Sequence, residues 1–578
     1  MTTCRLALVG VLVSFLLWSS FSPVFSQNIP AKDKALGLIK QEAQFLREQT
    51  RLEQEREKNR LAQLQRTASP NGLVQEISES SDVTPTENLP AFLIHDISIK
   101  GLSPPFDSHV ETLKKGFINR ALSKQDIRHL IRQITNVYLT QGYVTTRVVM
   151  KSQYLGSGKL ELTVIEGKVH AVVFPNTSFW QRWTAFPGLE GSRLNIRDLE
   201  QGLDQLNRLN GNRITFKLEP TADQLGYTDV IIHNAGQSHD SVMLRYDAYN
   251  QSAITIYPNE ISFSRENLLQ ANDVWWTRYS QAHQGQQQFS NTFGLDGSIP
   301  LGYLVFSASY SQYDYSSLVY GLQRNFISSG QTRTYAYSVQ DMLARTQMSK
   351  LSVLLGLKVK ETDSYIEDVK NDVGSHKLVI ASLGPTYTHY LPGGVFTVGL
   401  EYQRGLAFLG ATIDSPDLDS LTAPHAQFEK WTLNTTYMQE LSFFVPLSFR
   451  QTFTGQWSKD PLYSTEQLGI GDFYTVRGFY SVYLQGESGL MSKTDVTVAL
   501  TNNWAITAGM DAGVIFKAGG TDVYQERARD YLIGSALGVR YIQTSWSADL
   551  IYAKALTASS GLDIPIGKLY LAFSISIQ

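Results

Sequence analysis

The sequence predicts a transmembrane β-barrel of about 16 antiparallel strands, preceded by two small βααββ modules and an N-terminal helix. Three observations predict it. From residue 238 to the C-terminus, segments alternate apolar with small or polar residues at period two. Between residues 91 and 237 one strand–helix–strand plan occurs twice, at a spacing of ~70 residues, which indicates tandem modules. Ahead of both lie a targeting segment and a highly charged helical run.

The chain of 578 residues has room for roughly three or four domains. Its net charge of -3 gives no sign of a general nucleic-acid binder. No internal run reaches the ~18 apolar residues of a membrane-spanning helix. The 43 Gly, 29 Tyr and 27 Phe favour sheets joined by tight turns.

Residues 1–26 read as a signal peptide: Arg5 is the basic start, Leu6 to Leu17 the apolar core, and Val24-Phe25-Ser26 the cleavage site before Gln27. The competing reading is an uncleaved anchor, but the apolar core is short for one. Cys4, the single cysteine, precedes the apolar stretch, so it is not a lipobox and would leave with the peptide. The mature chain then enters an oxidising compartment without a disulfide. Its stability must come from elsewhere, and a closed sheet in a membrane is one source.

Residues 27–66 hold a helix that begins near Ala31. Good helix formers dominate, with no Pro inside it. Leu36, Ile39, Ala43 and Leu46 form a partial apolar stripe, and Glu48 to Arg60 is almost wholly polar. Such a helix bridges solvent or sits in a polar channel. At ~1.5 Å per residue it spans about 50 Å, enough to cross an outer membrane through a pore. A coiled-coil arm is the alternative, although the a/d pattern fails after Leu52. Residues 67–90, rich in Ser, Thr, Pro, Asn and acidic residues, read as a flexible linker.

The first module, residues 91–166, opens on the strand FLIHDISIKGL. A short helix is expected near His109–Asn119. A second starts at Ser123, with Asp126 three residues on as a capping-box pair. Its apolar face is Ile127, Leu130, Ile131, Ile134, Val137 and Tyr138, and Gly142 ends it. TTRVVMKSQYL and KLELTVIEGKV are the closing strands. In residues 167–237 the strand HAVVFPNT is followed by a helix starting at Asn195 with Leu199, Leu203, Leu206 and Leu209 on one face. RITFKLEPTAD and YTDVIIHNAG complete this module.

In the region 238–578 the last segment is representative. Leu569, Leu571, Phe573, Ile575 and Ile577 face one side, and Tyr570, Ala572, Ser574 and Ser576 the other. A soluble sandwich of this length would exceed one core, and no blade repeat supports a propeller. A barrel of this size has a lumen wide enough for water or a peptide.

Two motifs stand out there. Val476-Arg477-Gly478-Phe479 lies in a Gly-rich, aromatic loop, where an Arg followed by Gly asks for an anion and a tight turn. Gly509-Met510-Asp511-Ala512-Gly513 lies on a strand-like segment. Thr501-Asn502-Asn503 reads as a turn between strands at about 491–501 and 504–516. Asp511 faces the lumen if Ile506, Ala508, Met510, Ala512 and Val514 face lipid. A confined carboxylate is costly alone, and a guanidinium satisfies it bidentately. The residues by themselves leave two readings open: Arg477 paired with Asp511, or Arg477 on an exposed loop and Asp511 solvated.

Through these motifs and their order, the whole precursor resembles the TpsB family, outer-membrane transporters of two-partner secretion of the FhaC/ShlB/CdiB type. Gln141-Gly142-Tyr143-Val144-Thr145-Thr146-Arg147 resembles the end of the second helix of the family's first POTRA domain and the strand after it. Val476 to Phe479 resembles the VRG(F/Y) tip of its inward-folded barrel loop, here around 461–490. Gly509 to Gly513 resembles its (F/G)xDxG strand motif. The resemblance implies a plug helix at 27–66, POTRA domains at 91–166 and 167–237, and an Arg477–Asp511 contact holding the loop inside the barrel. Two features depart from the family: Asp247-Ala248-Tyr249-Asn250-Gln251-Ser252 matches its DNxG-like motif poorly, and the chain ends Ile577-Gln578 rather than in an aromatic residue.

The implied function is a monomeric outer-membrane translocator with its POTRA domains in the periplasm. It would catch an unfolded TpsA-type exoprotein by β-augmentation and thread it through the barrel, with outer-membrane lipid as its surroundings. No nucleic acid, cofactor, metal or catalytic residue is expected: the chain has no GxxxxGK[ST], HExxH or GxSxG, and its ten His are scattered. The periplasm holds no ATP, so folding of the cargo outside is the expected drive. Two other functions compete. An insertase of the BamA kind usually carries more POTRA units, and a passive porin leaves the two modules unexplained. The cargo class stays open among adhesins, haemolysins, haem-scavenging proteins and contact-dependent inhibition toxins.

Overall fold

The computed structural model describes residues 91–578 apart from short stretches, the longest being 248–258, 416–422 and 517–528. The expected signal peptide, N-terminal helix and linker lie outside the described residues, as do Ala248 to Ser252.

The first module contains helices α1 (Asp107–Lys115) and α2 (Lys124–Thr140). Ser123 and Asp126 cap α2 reciprocally: the Asp126 N–H donates to Ser123 Oγ (3.3 Å), and the Ser123 N–H to Asp126 Oδ2 (2.8 Å). Ile127, Leu130, Ile134 and Tyr138 of α2 are buried against Ile97, Leu160, Leu162 and Val164. Those four belong to a sheet in which Asp96–Lys100 pairs in parallel with Lys159–Ile165, which pairs antiparallel with Arg147–Val149.

Three local expectations are corrected. The first run is two strands, not one. Phe92–Ile94 pairs with Arg120–Leu122 in a separate sheet, and the chain changes partner at His95. There the N–H groups of His95 and Asp96 both donate to Gly158 O. Helix α1 starts and ends earlier than 109–119, and Asn119 adopts a left-handed turn (φ 59°). The strand after α2 shortens to Arg147–Val149, because the QGYVTTR segment is used as the joint between modules. Gly142 O accepts from the Ile196 N–H (2.9 Å), Gln141 O from Asn195 Nδ2 (3.2 Å), and Arg193 lies over the Tyr143 ring.

The second module holds α3 (Phe179–Ala185) and α4 (Ile196–Leu206). They accompany a sheet in the order Lys168–Val173, Tyr227–Asn234, Ile214–Pro220. Leu199, Leu203 and Leu206 enter its core. Leu209 is buried too, but it follows the helix instead of belonging to it.

Residues from Ser241 to Ile577 close a barrel. The closed sheet has 17 segments, of which Val369–Lys370 is a two-residue ribbon on a hairpin, leaving 16 principal strands. The last strand, Lys568–Ile577, pairs antiparallel with the first, Ser241–Asp247, placing Ile577 opposite Val242 and Ala572 opposite Asp247. Closure therefore rests on backbone pairing that extends to Ile577. Leu569, Leu571 and Phe573 are exposed on the outer face, while Tyr570 and Ala572 are buried inside, as period-two alternation requires.

The second module is docked on the barrel turns. The Gly302 carbonyl accepts from Gln205 Nε2 (2.8 Å) and Gln201 Nε2 (3.2 Å) of α4. Tyr303 Oη donates to Asp198 Oδ1 (2.6 Å). Asp204 Oδ2 accepts from Lys350 Nζ (2.6 Å) and also pairs with Arg345, both cations being largely buried. Removing the Asp204 carboxylate breaks both pairs, although Arg345 keeps Glu200 Oε2 at 3.3 Å, and the loss of one partner from a buried pair costs about 3–5 kcal/mol. Asp204→Ala is expected to free the module from the rim, seen as faster proteolysis between residues 235 and 240 with the barrel still resistant. Unchanged cleavage there would show that the pair does not hold the interface.

Candidate functional site

The segment between strands Pro446–Ser458 and Ser488–Ala499 folds back as a hairpin in which Leu468–Ile470 pairs with Leu484–Gly486. Its side chains touch strands on both sides of this connection, which a loop can do only from within the barrel. The turn before the tip is built locally. Asp472 Oδ1 accepts from the Tyr474 N–H (2.8 Å), the Thr475 N–H (2.7 Å) and Thr475 Oγ1 (2.8 Å). Short Asp and Thr side chains stabilise such turns by bonding to nearby backbone.

This turn delivers Arg477 to Asp511. Arg477 Nε donates to Asp511 Oδ2 (2.6 Å), Nη2 to Oδ1 (2.7 Å), and the Arg477 backbone N–H to Oδ2 (3.0 Å). Arg477 is 3% exposed and Asp511 1%. The fork-on-carboxylate geometry is the strong form of ion pair, and the added backbone bond fixes the main chain as well as the side chain. Nη2 also lies 2.7 Å from Asp495 Oδ1, in an ion pair without hydrogen-bond alignment. Asp511 stands on strand Trp504–Phe516 directly opposite Lys493, and Gly509 opposite Asp495.

The other motif residues pack around this contact. Val476 and Phe479 are fully buried with Ile470, Met491, Ile515, Leu532 and Ala555. Gly478 has φ +97°, and a Cβ there would run into the Lys554–Ala555 peptide of the wall. A Cβ on Gly509 would overlap Arg477 Nη2, and one on Gly513 would sit 3.0 Å from Ile470 and Val476. Gly478→Ala therefore combines a disfavoured backbone with a clash against main chain. It is expected to lift the tip from the wall, read as new protease cleavage within 471–483 in folded protein. A protected tip would overturn this.

The structure thus brings all seven sequence-derived positions into one place and adds three features that the sequence reading missed. Asp495 is the second anion for Arg477. Gly534 gives way to the Arg477 carbonyl, which a Cβ there would overlap; a Gly inside a strand was the available signal. The third feature is a cluster of opposite polarity. Glu466 at the base of the same loop is 4% exposed. Its Oε1 accepts from Lys360 Nζ (2.6 Å) and its Oε2 from Lys430 Nζ (2.7 Å). Gln456 Nε2 donates to the Glu466 carbonyl (3.0 Å). Lys360 and Lys430 stand on strands Ser349–Ile366 and Glu429–Ser442.

Comparison with known proteins agrees with this architecture. The family described as haemolysin secretion/activation protein ShlB/FhaC/HecB matches residues 226–541. A ShlB-type POTRA domain matches residues 92–167, and a further POTRA domain 168–220. The chain is 27% identical to the outer membrane transporter CdiB of Dickeya dadantii (strain 3937) over 438 residues, 74% of this chain and 77% of that one. It is 29% identical to the hemolysin transporter protein ShlB of Serratia marcescens over 385 residues, 65% and 66% of the two. The solved structure of CdiB from Escherichia coli superposes with a TM-score of 0.82 at 24% identity, covering 93% of this chain and 98% of that one. CdiB from Acinetobacter baumannii gives 0.77 at 21%, covering 96% and 100%.

Proposed function

Because this chain belongs to the ShlB/FhaC/HecB family of haemolysin secretion/activation proteins, we propose that it transports one large unfolded exoprotein across the outer membrane. In this reading its POTRA domains face the periplasm. The observation that carries it is a barrel whose lumen is occupied by its own loop while a POTRA domain is docked at one rim. That combination suits a gated conduit better than a standing pore.

The strands Asp96–Lys100 and Ile214–Pro220 each end a POTRA sheet. An extended exoprotein segment adds to such edges through main-chain hydrogen bonds, with side-chain pockets supplying selectivity. Arg477, Asp511 and the glycines around them serve as a conformational lock on the loop. The helix at 31–66 is a second obstruction that leaves before cargo enters, and the transporter works as a monomer. Cargo folding outside the cell supplies the direction of transport.

The test is a deletion strain. Loss of a single large exoprotein from the medium, with other outer-membrane barrels at normal levels, is the expected result. Depletion of many barrels would replace this reading with an insertase of the BamA kind. Conductance of a Δ31–66 variant tests the obstruction separately: it should exceed that of the full chain, and equal values would remove the helix from the lumen.

A further inference from the structure

Helix α3 of the second POTRA domain carries three large aromatic side chains that the domain core does not use. Phe179, Trp180 and Trp183 are 59%, 56% and 40% exposed, whereas Gln181, Thr184 and Ala185 on the same helix are buried. The rings form a contiguous patch, with centroids 5.6 Å apart for Phe179–Trp180 and 5.8 Å for Trp180–Trp183. Contiguous apolar surface of this kind marks an interaction site.

The position of the patch identifies what it meets. The Gln181 carbonyl accepts from Asn272 Nδ2 (2.6 Å), and Thr184 O from the Gly302 N–H (2.7 Å). Ser178 Oγ, at the N-cap, donates to Gln270 O (2.7 Å). These bonds tie α3 to two turns at the periplasmic rim of the barrel. Trp180 precedes Thr184 by one helical turn, so it flanks the docked stripe.

That rim also carries the aromatic residues expected at a membrane–water boundary. The outer wall there has a chain of rings, Trp504–Tyr541–Trp546–Phe573, with centroids 4.7, 5.0 and 5.8 Å apart. Next to α3, Trp275 Nε1 donates to Asp273 Oδ2 (2.7 Å), and Leu268 and Leu269 of the same turn are exposed. The patch therefore shares the periplasmic rim with this belt and with the exposed Leu268 and Leu269, in the kind of setting where indole rings are favoured.

We propose that Phe179, Trp180 and Trp183, together with Leu268 and Leu269, insert into the periplasmic leaflet at the headgroup–acyl boundary. The second POTRA domain is thereby anchored to lipid as well as to the barrel. An unfolded exoprotein segment is the competing occupant. Its place on the same rim as the belt, beside exposed leucines of a barrel turn, favours lipid, and the sheet edges offered to cargo are backbone surfaces elsewhere in the domain.

Brominated-lipid quenching of the full-length protein tests this. The protein is placed in phosphatidylethanolamine–phosphatidylglycerol vesicles containing lipid brominated near the headgroup or near the chain end. The emission difference between wild type and Trp180→Phe/Trp183→Phe isolates the two indoles. Phe retains the aromatic volume, and heat-modifiable gel migration verifies folding. Should the double variant fail that check, each single Trp→Phe variant supplies the same difference. The expected result is loss of the difference emission with headgroup-side bromine and a smaller loss with chain-end bromine. No loss with either lipid would overturn the proposal, as would a difference emission that changes only when an unfolded exoprotein segment is added.

Discussion

Asp511→Ala is expected to reduce export by more than tenfold while the barrel still closes. The substitution leaves the Arg477 guanidinium buried with Asp495 as its remaining carboxylate, and it strips the Arg477 N–H of its acceptor. Breaking a buried pair from one side costs about 3–5 kcal/mol, or roughly a hundredfold or more in occupancy of the docked tip. Arg477→Ala produces the converse defect, a carboxylate deep in the lumen with only a backbone donor. Arg477→Lys rescues it poorly, because an ammonium cannot reproduce the two-pronged contact. Export of the exoprotein and protease access to residues 471–483 give the two readouts.

The exchange Arg477→Asp with Asp511→Arg is a sharper probe. It restores opposite charges, but it also sets the new carboxylate beside Asp495 and the new guanidinium opposite Lys493. Partial recovery is therefore expected, and adding Asp495→Asn should increase it. Full recovery by the exchange alone would mean that Asp495 and Lys493 do not sense the pair. No recovery in either background, with folded protein, would reject direct pairing as the basis of the lock.

Asp511 was legible in the sequence because strand alternation gives each side chain a face, and an inward carboxylate needs a cation. Arg477 was legible as a charge next to a glycine in an aromatic loop. The partners across the lumen were not. Asp495 is inward by the same alternation, but only the path of the loop tells that Arg477 reaches it. Lys360, Lys430 and Glu466 are separated by 36 to 106 residues, and no local period connects them. The split of the first strand at His95 was hidden for a different reason: Leu93, Ile97 and Ile99 read as one alternating face, but Leu93 is exposed and Ile94 is buried with Ile97, so the phase shifts by one residue where the pairing partner changes. Local rules thus delivered elements and faces, and the long-range course of one loop decided which faces meet.

The second large effect is expected at Glu466. Glu466→Gln keeps nearly the same shape but leaves Lys360 and Lys430 buried around a neutral amide, where each loses the Glu466 carboxylate and repels the other. The cost is again about 3–5 kcal/mol, and it falls on the base of the loop while Arg477 still holds the tip. Glu466→Gln is therefore expected to raise channel conductance in bilayers and to lower the temperature at which the folded gel band is lost. Unlike the tip variants, it should keep residues 471–483 protected. Charge can be separated from packing by removing the whole cluster. A buried triad replaced by apolar residues of similar volume is commonly neutral or more stable, so Glu466→Leu with Lys360→Met and Lys430→Met should regain the heat resistance that Glu466→Gln loses. If the triple variant is as heat-sensitive as the single one, uncompensated charge is not what destabilises the loop, and the hydrogen bonds that the Lys360 and Lys430 ammonium groups make to the Thr465 and Glu466 carbonyls hold its base instead.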